Sequence, residues 1–158
     1  MNILFFLTPK ADVTFVNDSD SMRQVLEKME RRQYSTIPII NEKTGKYVGT
    51  LSEGDLLWDI KKYCNLTLKS AEGRPMRAIK RRRDYRSVNV SSDMEDLLPL
   101  AMSQNFVPVI DDTGAFIGIV TRADVMRYLV SDTRGNQKSA AESIKSEKKE
   151  FRVLARQA

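Results

Sequence analysis

Apolar positions along this chain follow two alternating spacings. Met22, Val25, Leu26 and Met29 fall at i, i+3, i+4 and i+7, which puts them on one face of a helix. The polar stretch NDSD at 17–20 supplies the helix-start signal, and residues 13–16 ahead of it read as a short strand. The spacing then changes. Residues 37–40 are a continuous apolar run, NEKTGK at 41–46 reads as a hairpin-like turn, and 47–51 reads as a second strand. Ser52 opens another helix, with Leu56, Leu57 and Ile60 on its apolar face. The predicted order is β-α-β-β-α.

The same order returns downstream. Residues 87–90 read as a strand, and Ser92 with Glu95 forms a capping-box pattern for the next helix. Residues 107–110 and 116–120 read as strands around the turn DDTG, and Thr121 opens the last helix. One local conflict stands in this half. Pro99 lies inside the predicted helix, where proline removes a hydrogen bond and costs about 3 kcal/mol or forces a kink.

The two halves are copies. YVGTLSEGDLLWDI around Gly49 matches FIGIVTRADVMRYL around Gly118, and YSTIPII matches NFVPVI. Gly49 and Gly118 are 69 residues apart, as are Asp55 and Asp124, whereas Met22 and Leu26 precede Met94 and Leu98 by 72. A period this long is a whole small domain fragment, too long for one turn of a solenoid. The expected organisation is repeat 1 at 5–63, a basic linker at 64–84, repeat 2 at 85–130 and a polar tail at 131–158, frayed or helical.

Composition narrows the chemistry. A chain of 158 residues with 41% hydrophobic and 30% charged residues is ordinary for a globular protein. No apolar run approaches the ~20 residues needed to cross a bilayer. The opening MNILFFLTPK lacks a basic leader and a cleavage site, so it reads as structure and no membrane partner is expected. The single cysteine, Cys64, suits a reducing cytoplasm. Histidine is absent, which removes the commonest general base and metal ligand, so neither a metal nor a catalytic cofactor is expected. The net charge of +5 permits anionic partners, and much of the excess sits in KRRR at 80–83 and in the tail. KRRR reads first as a solvated linker, with a phosphate clamp as the functional alternative.

Ser52-Glu53-Gly54-Asp55 and Thr121-Arg122-Ala123-Asp124 share one pattern: a hydroxyl, then an aspartate three residues later, at a strand-to-helix junction. A Ser or Thr cap followed by an acid is a routine helix start. Two features reach beyond capping. The usual third-position residue is Glu or Gln, and both copies use Asp. The repetition also extends to the preceding glycine and to an apolar-Pro-apolar strand. A carboxylate can accept two hydrogen bonds from a vicinal diol, and a helix N-terminus favours phosphate, so a ribose phosphate fits this chemistry.

These motifs resemble a tandem pair of CBS (cystathionine-β-synthase-type) domains over about 5–130. More narrowly, the layout is similar to small stand-alone CBS proteins of the Firmicutes type. The resemblance implies an α+β fold of two βαββα repeats packed as one pseudo-two-fold disc, with adenosine nucleotides in clefts between the repeats. It implies ribose contacts from Ser52 and Asp55 and from Thr121 and Asp124. It also implies walls around the base from the strands at Ile37-Pro38 and Val107-Pro108. Arg122 is a bidentate phosphate donor where repeat 1 carries the repulsive Glu53, so the Asp124 site is expected to bind phosphate better. Tyr34 and Asn105 precede the prolines at equivalent places, and Tyr34 reads equally as core packing or base stacking. Trp58 reads as a packing or dimer contact, and Met22 and Met29 as core.

Three functions follow in order. The first is a non-catalytic regulatory module, a ligand sensor, whose regulatory ligand is an adenine nucleotide (AMP, ADP, ATP or cyclic di-AMP). It would act as a homodimer on an unidentified regulated protein, because no output domain is attached. The second is a small nucleic-acid-binding protein using KRRR and the tail. It is disfavoured because KRRR lacks interleaved aromatics and no recognised motif accompanies it. The third is a nucleotide-processing enzyme, ranked last because no nucleophile-base pair is evident.

Overall fold

The computed structural model, which describes residues 2–65 and 67–133, builds the β-α-β-β-α order twice. The strands are β1 (Thr8–Pro9), β2 (Val16–Asn17), β3 (Thr36–Ile40), β4 (Tyr47–Ser52), β5 (Val88–Asn89), β6 (Phe106–Ile110) and β7 (Phe116–Thr121). The helices are α1 (Met22–Arg32), α2 (Glu53–Tyr63), α3 (Leu68–Ala71), α4 (Met94–Ser103) and α5 (Arg122–Thr133). The fold is α+β. The chain divides into two units, one of Thr14–Ser87 with Ile110–Phe116, the other of Val88–Val109 with the N-terminal residues to Val13 and the chain from Ile117.

In the first unit, β2 runs parallel to β3, and β3 pairs antiparallel with β4. Pro38 can sit in this middle strand because β2 is only two residues long and meets β3 at Ile39 and Ile40, beyond the proline. Ser21 caps α1 in a full capping box with Gln24, and the predicted stripe of Met22, Val25 and Met29 is buried. It packs with Val16, Ile37, Ile39, Leu51 and Leu56 into one core. Fully burying side chains of this size contributes about 1.5–3 kcal/mol each.

The second unit has a four-stranded sheet in the order β1-β7-β6-β5. Its core joins Val88, Leu97, Ala101, Val107, Val109, Val120 and Val125 to Ile3 and Phe6 from the N-terminus. The opening segment therefore completes the sheet and core of the second copy, with β1 antiparallel to β7.

Two local expectations need correction. The first strand of repeat 1 lies at Val16–Asn17, later than 13–16. Asp93, not Ser92, caps α4: its carboxylate accepts the N–H groups of Glu95 and Asp96. Asp93 is an equally good cap and stands one residue nearer the helix. Pro99 sits within α4, where the sequence placed it. Both Pro99 and Glu95, whose carbonyl lacks its usual donor four residues on, are exposed, so water can satisfy that carbonyl. Of the tail, residues from 134 onward lie outside the described residues.

Candidate functional site

Each copy turns from its last strand into its second helix on a hydroxyl residue. Ser52 caps α2: its Oγ accepts the Asp55 N–H at 3.1 Å, and Asp55 Oδ2 accepts the Ser52 N–H at 3.0 Å. The other oxygen, Oδ1, accepts the Arg82 N–H at 3.0 Å. Asp55 is 2% exposed, and its two oxygens fasten the helix start and the 81–83 segment at one point. The short aspartate side chain keeps the charge where those two backbones meet.

In the second copy, Thr121 Oγ1 accepts the Asp124 N–H at 3.2 Å. Asp124 is 3% exposed, and Arg127 Nη1 lies 3.2 Å from its Oδ1. Arg122 donates from Nε to the carbonyls of Ala101 and Gln104, both at 3.0 Å, and so closes the C-terminal end of α4. The two junctions share one further bond. Glu53 N–H donates to the Ser35 carbonyl and Arg122 N–H to the Asn105 carbonyl, each at 2.9 Å. Asn105 is thus at its junction and matches Ser35, three residues before its proline, so the expected pairing of Tyr34 with Asn105 is off by one residue. Tyr34 is half-buried against the first core and Asn105 is exposed. Ile37, Pro38, Val107 and Pro108 are buried in their strands, so their side chains act as core in this conformation.

The repeated glycines have a steric cause. A Cβ on Gly118 would come under 3.0 Å from the Thr8 carbonyl oxygen, because β1 crosses there. A Cβ on Gly49 would meet the Asp84 carboxylate equally closely. Asp84 accepts the Thr50 N–H at 3.0 Å and the Arg81 Nε at 2.8 Å. Burial alone would raise the Asp84 carboxyl, but the Arg81 hydrogen bond and the Thr50 N–H outweigh it and hold it below the ordinary carboxylate value. Nearby, burial pushes the Tyr47 phenol up, and its hydroxyl donates to the Tyr85 carbonyl at 2.6 Å. The reading of KRRR as a solvated linker therefore fails for the backbone: Arg82, Asp84 and Tyr85 are tied to Asp55 and β4, although the Arg82 and Arg83 side chains stay exposed.

Trp58 is the residue read from the sequence as a packing or dimer contact. It is 43% exposed, with Lys61 and Arg82 against its ring. Among the described residues, no cluster of three carboxylates or thiols could hold a metal, and no helix is long and apolar enough to cross a membrane.

The CBS domain family model matches residues 7–62 and again 77–131. The chain belongs to the CBS domain family. A curated relative, Hemolysin C of Brachyspira hyodysenteriae, is 27% identical over 142 residues, covering 89% of this chain and 48% of the relative. The chain thus spans about half the length of that relative. Among solved structures, CBSX2 in complex with AMP is 26% identical with a TM-score of 0.63, covering 81% of this chain and 95% of that one. CbpB of Listeria monocytogenes in complex with c-di-AMP is 19% identical with a TM-score of 0.74, covering 85% and 98%, and shows the shared fold.

The spacing of hydroxyl and aspartate located both CBS junctions. It gave no sign of Arg82 as the second donor to Asp55, of Asp84 over Gly49, or of the α4 carbonyls under Arg122. Chance neighbours from 27, 35 and about 20 residues away leave no periodic trace, and only the shared glycine marked that something must cross the strand.

Proposed function

We propose that this CBS pair is a non-catalytic regulatory module that binds an adenine nucleotide at its strand-to-helix junctions. The observation that carries the reading is the duplicated junction itself: a hydroxyl and a buried aspartate at the start of α2 and again at the start of α5. Family membership supports it, since CBSX2 was solved with AMP and CbpB with c-di-AMP. Ser52 and Asp55, and Thr121 and Asp124, would contact ribose, with Arg122, Tyr34, Asn105 and the Pro38 and Pro108 strands around them. Arg122 Nε already holds α4, so a phosphate would draw on its terminal nitrogens. Bound nucleotide would shift a homodimer or a regulated protein between states, a coupling of typically ~1–3 kcal/mol.

A thermal-shift panel of AMP, ADP, ATP, cyclic di-AMP, S-adenosylmethionine and GTP tests the class. A true ligand at 100 times its dissociation constant stabilises by about 2.7 kcal/mol. Calorimetric titration then tests the residues. Asp124→Ala should weaken the best nucleotide about 10- to 150-fold, the effect of losing one charge-assisted hydrogen bond. Equal affinity in the wild type and Asp124→Ala removes the ribose assignment. Sedimentation with and without nucleotide tests the homodimer, for which the exposed Leu57, Met126 and Val130 on α2 and α5 argue.

A further inference from the structure

Residues 61–86 contain ten Lys and Arg against only two acids, Glu72 and Asp84, a larger surplus than the +5 of the whole chain. Arg74 pairs with the buried Asp59, and Arg81 with Asp84. Lys61, Lys62, Lys69, Arg77, Lys80, Arg82 and Arg83 are exposed and have no ion-pair partner among the described residues. Two exposed rings lie among these cations. Trp58 carries Arg82 at 5.0 Å and Lys61 at 5.4 Å from its ring centre. Tyr63, 53% exposed, carries Arg74 at 4.5 Å and Lys62 at 5.1 Å. The arrangement is built: Arg82 reaches Trp58 from a distant segment whose backbone is tied to Asp55.

We propose that this surface of α2 and the 74–83 segment binds single-stranded nucleic acid. Cations matched to phosphates, with aromatic faces for successive bases, are what a single strand needs. Arginine predominates over lysine in 74–86, and its planar guanidinium suits phosphate and stacks on rings. A base stacking on Trp58 or Tyr63 replaces a cation on the ring. Base stacking is the stronger contact at an exposed ring, and the released guanidinium moves to the flanking phosphate. An acidic peptide would use the cations but not the rings, and a duplex hides the base faces. The interleaved aromatics absent from the linear run KRRR are supplied by α2 in three dimensions. The surface adjoins the first junction through the Arg82 N–H on Asp55, but its rings and cationic side chains are not among the residues proposed to hold the adenine nucleotide.

The test uses the full chain and a 16-nucleotide oligothymidylate. Trp58 is the only tryptophan, so quenching of its emission reads base contact at the proposed ring. Binding is expected with quenching, and with an affinity that falls as salt rises from 50 to 200 mM. Trp58→Ala, followed by anisotropy of labelled strand, should weaken binding about tenfold. Arg82→Ala with Arg83→Ala should lower the slope of log affinity on log salt by about 1.4, two phosphate contacts at ~0.7 each. Melting temperatures and adenine-nucleotide affinity of these variants should match the wild type, which separates this surface from the junctions. Absence of binding at 50 mM salt overturns the proposal. So does equal binding of duplex without quenching, or equal displacement by polyglutamate with Trp58→Ala unaffected, since each shows a surface that reads charge alone.

Discussion

Asp55→Ala isolates what the first junction does for the fold. The substitution leaves the Ser52 Oγ bond to the residue-55 N–H in place and removes the acceptor for two other N–H groups, those of Ser52 and Arg82. A hydrogen bond to a charged group contributes about 1.5–3 kcal/mol, so two set an upper bound near 6 kcal/mol. Ser52 is half-buried and Arg82 exposed, so water reaches part of what is lost, and about 2–3 kcal/mol is expected. At roughly 2–4 °C per kcal/mol for a chain of this size, the melting temperature should fall by about 5–10 °C. Asp55→Asn keeps one acceptor oxygen and should recover roughly half of the loss. Calorimetric melting and urea unfolding measure both variants. A change under about 1 °C in Asp55→Ala would refute the claim that this carboxylate joins helix start and 81–83 segment. Urea slopes matter too: an unchanged slope shows a lost interaction, while a changed one shows that the 81–85 segment has come away from the unit.

Gly118→Ala should destabilise by about 1–3 kcal/mol, more than Gly49→Ala, because its obstacle is the backbone of β1 and not a side chain. Adding Asp84→Ala to Gly49→Ala should cost less than the sum of the two, read from a urea double-mutant cycle, and simple additivity would contradict the close approach. Pro99→Ala restores an N–H that can reach the Glu95 carbonyl and should stabilise by up to about 3 kcal/mol; a lower midpoint in urea would show that the proline is needed. Asp84 has a folded value below its ordinary 3.8, so its contribution is fully present above that pH and is lost as pH falls through the folded value. Asp84→Asn should therefore flatten the dependence of stability on pH below about 4, followed by urea unfolding at several acidic pH values.

Much of this protein was legible because the determining contacts are near in sequence. The i, i+3, i+4, i+7 stripe of α1, the apolar run of β3, the Ser52 and Thr121 starts and the 69-residue offset all express local periodicity or local capping. They suffice for the duplicated βαββα order and for the CBS family. Even here a neighbouring acid could displace an expected cap, as Asp93 does for Ser92. Tertiary structure alone decided the rest. The N-terminal strand completes the sheet of the second copy, and residues 81–85 lie on the first, so the glycines of both copies exist to admit a crossing segment. Arg122 spends its Nε on carbonyls of α4, and Arg82 joins Trp58 to a basic run whose composition gave no aromatic. The physical reason is range. Helix periodicity and capping are fixed within about four residues along the chain, whereas the acceptor of a buried N–H or the neighbour of a ring is set by whatever distant segment the hydrophobic cores bring alongside.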